Sequence, residues 1–129
     1  MNTANRRLLL QWILWLIAIH SICFGFILIV FPPLWIEYFG FQLREKFFAD
    51  QGGVFHLIIS LAYIMAALSP ETSKKLIILS CVTKFTASVF LFSYFLFDRP
   101  IIMVLLSGVA DLMMGLAILA SYRFYIKST

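Results

Sequence analysis

Charge is scarce in this chain. Asp, Glu, Lys and Arg together make up 12% of its 129 residues, about half of what a water-soluble domain carries. That shortage excludes an ordinary soluble fold, because 63% of the residues are hydrophobic and 14 are Phe, more apolar surface than one small core can hide. Cysteine is nearly absent too. Cys23 and Cys81 both lie inside apolar stretches, with no CxxC and no Cys/His metal spacing, so they read as buried thiols acting as small hydrophobes. There is no Gly-rich phosphate loop, no nucleophile elbow and no clustered His/Asp set of the di-metal kind. The net charge of +4 comes from single or paired basic residues. None forms a patch long enough to track phosphates, which argues against nucleic acid as a partner.

What the chain has instead is four long apolar stretches, each about the length that crosses a bilayer. The expected fold is an all-α, polytopic four-helix membrane bundle, forming one domain over residues 1–129. The first span runs from about 9 to 31, between Arg6-Arg7 and Pro32-Pro33, since proline cannot continue a helix past its first turn. Its length and the poor cleavage site at Phe31-Pro32-Pro33-Leu34-Trp35 mark it as a retained span and not a signal peptide. An interfacial segment follows over about 34–46, mixing Trp35, Tyr38, Phe39 and Phe41 with Glu37, Arg44, Glu45 and Lys46, and broken at Gly40. The stretch from Gly53 to Leu68 would span only about 24 Å at 1.5 Å per residue, so the second span begins near Phe47 and ends at Ser69-Pro70. The third runs over about 76–97, with Thr72 or Ser73 as N-cap, and Asp98-Arg99-Pro100 turns the chain into the fourth, about 101–122.

Orientation follows from the cations. Arg6, Arg7, Lys74, Lys75, Arg123 and Lys127 lie on one side, and Arg44, Lys46 and Arg99 on the other. The positive-inside rule then puts both termini in the cytoplasm, in what we expect to be a bacterial inner membrane.

Every span carries an ionisable residue near its middle: His20, His56, Lys84 and Asp111. Such groups are expensive in hydrocarbon and face a bundle interior or mark a functional site. Measured from the cytoplasmic edge, Lys84 sits at about 12 Å, His20 and Asp111 at about 16 Å, and His56 at about 18 Å, so the four share one layer. Lys84 and Asp111 lie on adjacent antiparallel spans and are the expected ion pair. Helical spacing groups Gly52, Gly53, His56, Ser60, Tyr63 and Ala67 on one face of span two. It groups Ser80, Lys84, Ala87 and Ser88 on span three, and Ser107, Gly108, Asp111, Gly115 and Tyr122 on span four. Small and polar residues of this kind suit helix–helix contacts in membranes. Ser21, about 100° around the helix from His20, does not face the same way. Asp50 lies in the outer rim, where it is solvated or extends a polar path.

The layer admits three readings. It is a structural network, with Lys84 paired to Asp111 and the histidines bonded to Ser, Tyr or backbone. It is a site for a quinone, a lipid headgroup or protons, supported by Asp50, Ser60, Tyr63 and Ser88. Or His20 and His56 ligate a haem or pigment, although no cofactor is assigned. There is also an internal echo. Gly53 to Ala62 and Gly108 to Ala117 match at Gly, Val, Leu, Leu and Ala, with His56 opposite Asp111, as parallel hairpin repeats would.

The order of features resembles small bacterial four-span families of the BphX-like and DoxX-like kind. These features are the Pro-containing aromatic segment after span one, Ala49-Asp50-Gln51-Gly52-Gly53-Val54-Phe55 opening span two, Ser69-Pro70-Glu71, the acidic-Arg-Pro turn and an acid inside span four. The resemblance implies a four-helix membrane bundle and no defined reaction, and hints at an accessory role. Small multidrug transporters share the layout but depend on a Glu in span one, where this chain has His20. The expected function is a non-catalytic accessory or assembly subunit of a larger membrane complex. The alternative is a homodimeric transporter or ligand-binding protein using His20, His56, Lys84 and Asp111. Its partners would be the lipid bilayer and either other membrane subunits or a second copy of itself.

Overall fold

The computed structural model describes residues 3–42 and 45–127. Among these the chain is helical and turn, in the order α1 (Thr3–Val30), α2 (Pro33–Tyr38), α3 (Phe47–Leu68), α4 (Lys74–Phe97) and α5 (Ile102–Ile126). All but α2 are long and apolar enough to cross a membrane, so the protein is an integral membrane protein built as a four-helix bundle. Helices are the natural solution there, because lipid offers the backbone no hydrogen-bond partners. The shortest of the four, α3, has 22 residues, about 33 Å of helix.

Three of the four helices run beyond their expected spans, α4 by starting at Lys74 and not near 76. α1 continues back through Arg6 and Arg7 to Thr3, and α5 runs on to Ile126. The charges mark where each helix leaves the hydrocarbon without ending it. Arg6 donates to the Phe124 carbonyl at 3.0 Å, and Arg7 pairs with Glu71 at 2.9 Å. Ser73 does hold the N-cap position of α4, but its hydroxyl makes no capping bond and donates instead to the Met65 carbonyl on α3. The interfacial segment is helical only over Pro33–Tyr38. It breaks at Gly40, whose φ of +93° is open to glycine. Leu43 and Arg44 of that segment lie outside the described residues.

Pro33 begins α2 and has no N–H, so the Ile29 carbonyl four residues earlier loses its normal helical donor. The Lys46 ammonium donates to that carbonyl in its place and also lies 3.2 Å from the Asp50 carboxylate. One lysine thereby ties the end of α1 to the start of α3.

α1 packs most extensively against α3, and α4 against α5, with α1–α5 and α3–α4 as lesser interfaces. The bundle is therefore two antiparallel hairpins side by side. Within the first, a Cβ built on Gly25 would meet the Gly53 carbonyl oxygen at 2.9 Å, and one on Gly53 would meet Gly25 O at 2.7 Å. Only glycine lets these two backbones approach so closely. Shared burial relates the hairpins. Buried Leu14, Ile17, Ser21 and Gly25 of α1 correspond to buried Ile77, Ser80, Lys84 and Ser88 of α4 at a constant shift. Ala49, Gly53, Ser60, Tyr63 and Ala66 of α3 correspond likewise to Val104, Gly108, Gly115, Ile118 and Ser121 of α5. The second shift is the one at which the two Gly-Val segments echo in sequence.

The half of the bundle nearer the termini is closed. Leu10, Leu14, Ile17, Ala18, Tyr63, Ala66, Ala67, Ile77 and Ile118 form one core there. In the other half the hairpins part, and a cleft opens between them.

Candidate functional site

The floor of that cleft is the polar layer. Lys84 Nζ donates to Asp111 Oδ1 at 2.6 Å, with the two side chains 4% and 14% exposed. The Lys84 ammonium also stands 5.8 Å over the Tyr63 ring, a cation–π distance. Tyr63 is buried and so backs the pair on the α3 side. On the first hairpin, Ser21 Oγ lies 3.2 Å from His56 Nδ1 and donates to the His56 carbonyl at 3.0 Å. At the constant shifts relating the hairpins, Ser21 and Lys84 hold corresponding places. His56 and Asp111 face each other in the sequence echo.

His20 is placed differently. Its side chain makes no hydrogen bond among the described residues and is exposed at the cleft, where it stacks on Phe24 at 5.9 Å. Phe24 in turn packs on His56 at 5.2 Å. The three rings form a continuous aromatic wall. Among the described residues no group of three or more His, Cys, Asp or Glu is arranged to hold a metal ion.

The cleft has a volume of about 360 Å³ and is lined by His20, Phe24, Phe41, His56, Ser107 and Asp111 together with aliphatic side chains from α4 and α5. That size lies at the lower end of small-molecule sites, which are mostly apolar with a few placed polar groups. An adjoining, more apolar cavity of about 520 Å³ runs toward Ile36, Phe48 and Tyr94. The two share Phe24, Phe41, Leu91 and Val104, so an apolar path leads from the distal end of the bundle down to the polar layer.

The supporting residues are divided. Ser88 donates to the Gly108 carbonyl at 3.0 Å and joins α4 to α5. Ser60 donates only within its own helix, to the Leu57 carbonyl. Asp50 stands at the distal rim beside Lys46 and does not line the cleft. Ser21 faces away from His20 on the helix, so the sequence alone gives it no place beside that histidine. The structure shows why that mattered: facing away from His20 is what points Ser21 into the α1–α3 contact, at His56. Phe24 carried no signal, being one among 14 phenylalanines, and Phe41 signalled only the interfacial segment.

No protein-family model matches the chain, and neither a curated protein nor a solved structure matches it.

Proposed function

We propose that this protein binds an amphipathic small molecule of the quinone or lipid class, without chemistry of its own, in the cleft between its hairpins. One observation carries the reading. An apolar cleft in a membrane-spanning bundle ends on His20, His56 and Asp111; Lys84 and Ser21 meet one atom each of Asp111 and His56, and the remaining polar atoms are costly in lipid unless something meets them. A ligand with a polar head and an apolar body satisfies both parts. In this reading the protein sits in a bacterial inner membrane with its cation-rich end, bearing Arg6, Arg7, Lys74, Lys75, Arg123 and Lys127, in the cytoplasm. The cleft then opens toward the opposite leaflet.

The test is native mass spectrometry of the protein extracted mildly from its own membrane, beside the variant Ala110→Phe, which adds a ring to the cleft wall. The wild type should retain a small-molecule mass that the variant loses. Identical spectra without any adduct, together with no uptake of added decylubiquinone or lysophospholipid, would sink the proposal.

A second reading, the accessory or assembly subunit, is favoured by the aromatic surface at the distal end. Trp35, Tyr38, Phe48, Phe90 and Phe97 are all exposed there, more than the cleft needs. Foreign polypeptides in the same spectra would support it, whereas a homodimer of this chain alone would favour the ligand-binding reading.

A further inference from the structure

Ser21 is fully buried between α1 and α3, and its hydroxyl has two neighbours on one residue: the backbone carbonyl of His56 at 3.0 Å and the ring Nδ1 of His56 at 3.2 Å. A hydroxyl carries one proton, and a carbonyl oxygen can only accept. Both contacts can be hydrogen bonds at once only if the Ser21 proton goes to the carbonyl. The contact to Nδ1 is then a hydrogen bond only if Nδ1 bears the proton and donates to the Ser21 oxygen. In a histidine the partner of one ring nitrogen fixes the state of the other. The neutral His56 ring is thus held as its Nδ1–H form. Its Nε2 is an unprotonated acceptor, with no partner among the described residues, on a side chain that lines the cleft.

The other hairpin offers the same polarity. Lys84 occupies Oδ1 of Asp111, which leaves Oδ2 as a second acceptor on a residue lining the same cleft. These two fixed groups accept and do not donate, whereas the His20 ring and the Ser107 hydroxyl in the same lining can do either.

Resting on the cleft-binding reading, we infer that the ligand head carries a hydrogen-bond donor, a hydroxyl of the phenol, quinol or alcohol class, and that Ser21 is the positioning residue that sets this requirement. A head with only carbonyl or ether oxygens meets like polarity at both groups.

The chain has two histidines, which makes the experiment direct. Imidazole ¹⁵N spectra of the ¹⁵N-histidine-labelled protein in lipid nanodiscs are compared with those of His20→Phe, in which His56 is the sole histidine. The expected His56 signals are a protonated Nδ1 and a bare, pyridine-like Nε2. Ser21→Thr should keep them and Ser21→Ala should lose the preference. Added 4-decylphenol should shift the Nε2 signal of the wild type, and 4-decylanisole, its methyl ether, should not. The phenol should bind roughly tenfold more tightly, the worth of about one hydrogen bond. An Nε2–H ring or an imidazolium would overturn the inference and leave the cleft-binding reading standing. So would the expected ring form with equal responses to both probes. The expected ring form with no response of either histidine to any amphiphile would overturn the cleft-binding reading, and the inference with it.

Discussion

Replacing Lys84 by Met should harm the protein more than replacing Lys84 and Asp111 together by Met and Leu. The pair is 2.6 Å apart and both side chains are nearly enclosed, at 4% and 14% exposure. At that separation the attraction is about 6 kcal/mol for an effective dielectric constant of about 20, and most of it is offset by the loss of hydration. Removing one partner leaves the desolvation of the other uncompensated, which costs about 3–5 kcal/mol. Removing both leaves apolar side chains of similar volume, a change that is close to neutral in other buried pairs. Each single variant should therefore shift the unfolding equilibrium by two to three orders of magnitude or more, at about 1.4 kcal/mol per tenfold, and the double variant by much less. Reversible unfolding of the four proteins in bicelles measures this as a double-mutant cycle. A double variant as unstable as the sum of the two singles would refute the argument. Ligand retention then separates the roles: a double variant that inserts, assembles and binds as the wild type does would remove Asp111 from the site.

Other expectations follow from the packing. Gly25→Ala and Gly53→Ala each drive a methyl group into the opposing helix, at under 3 Å from backbone oxygen, and should destabilise by about 1–3 kcal/mol. At Gly52 the nearest atom would be a Leu28 methyl at 3.7 Å, so Gly52→Ala should stay within about 0.5 kcal/mol. Lys46→Met removes the donor that replaces the missing Pro33 N–H at the Ile29 carbonyl. Hydrogen exchange should then rise in the last turn of α1 and not in its core. Arg7→Gln should change stability by less than about 1 kcal/mol, because both partners of its ion pair are nearly half exposed.

The architecture was legible because a bilayer imposes coarse rules. Apolar runs of sufficient length must be helices, and Pro32-Pro33, Ser69-Pro70 and Asp98-Arg99-Pro100 punctuate them. α3 begins at Phe47, where the length argument puts it. Faces were legible where small or polar residues marked them, as at Ser80, Lys84 and Ser88, all buried. On α1 the buried face is Leu10, Leu14, Ile17 and Ala18 with Ser21 and Gly25. Apolar residues there look alike whether they meet protein or lipid, so hydropathy alone could not orient the helix. Of the three readings of the layer, the structural network has the histidines bonded to Ser, Tyr or backbone; His56 lies against Ser21, and His20 stacks on Phe24. Which aromatic rings build a cleft depends on how far the hairpins part, and no local pattern encodes that distance.

The mid-layer bonds have a mechanical consequence. Ser21–His56 and Ser88–Gly108 each stay within one hairpin, as does Lys84–Asp111. Among the described residues, the side-chain bonds that join α1 to α5, or the second hairpin to the distal segment, sit at the bundle ends: Arg6 to the Phe124 carbonyl and Arg99 to Gln42. Away from Arg6 the α1–α5 boundary is a seam of non-directional contacts among the described residues, and at the far end the second hairpin is tied only to the distal segment. Rocking the hairpins about the closed core would widen or narrow the cleft mouth while every buried hydrogen bond moved as part of a rigid body. The Arg99–Gln42 bond, exposed at the open end, would be the first to break.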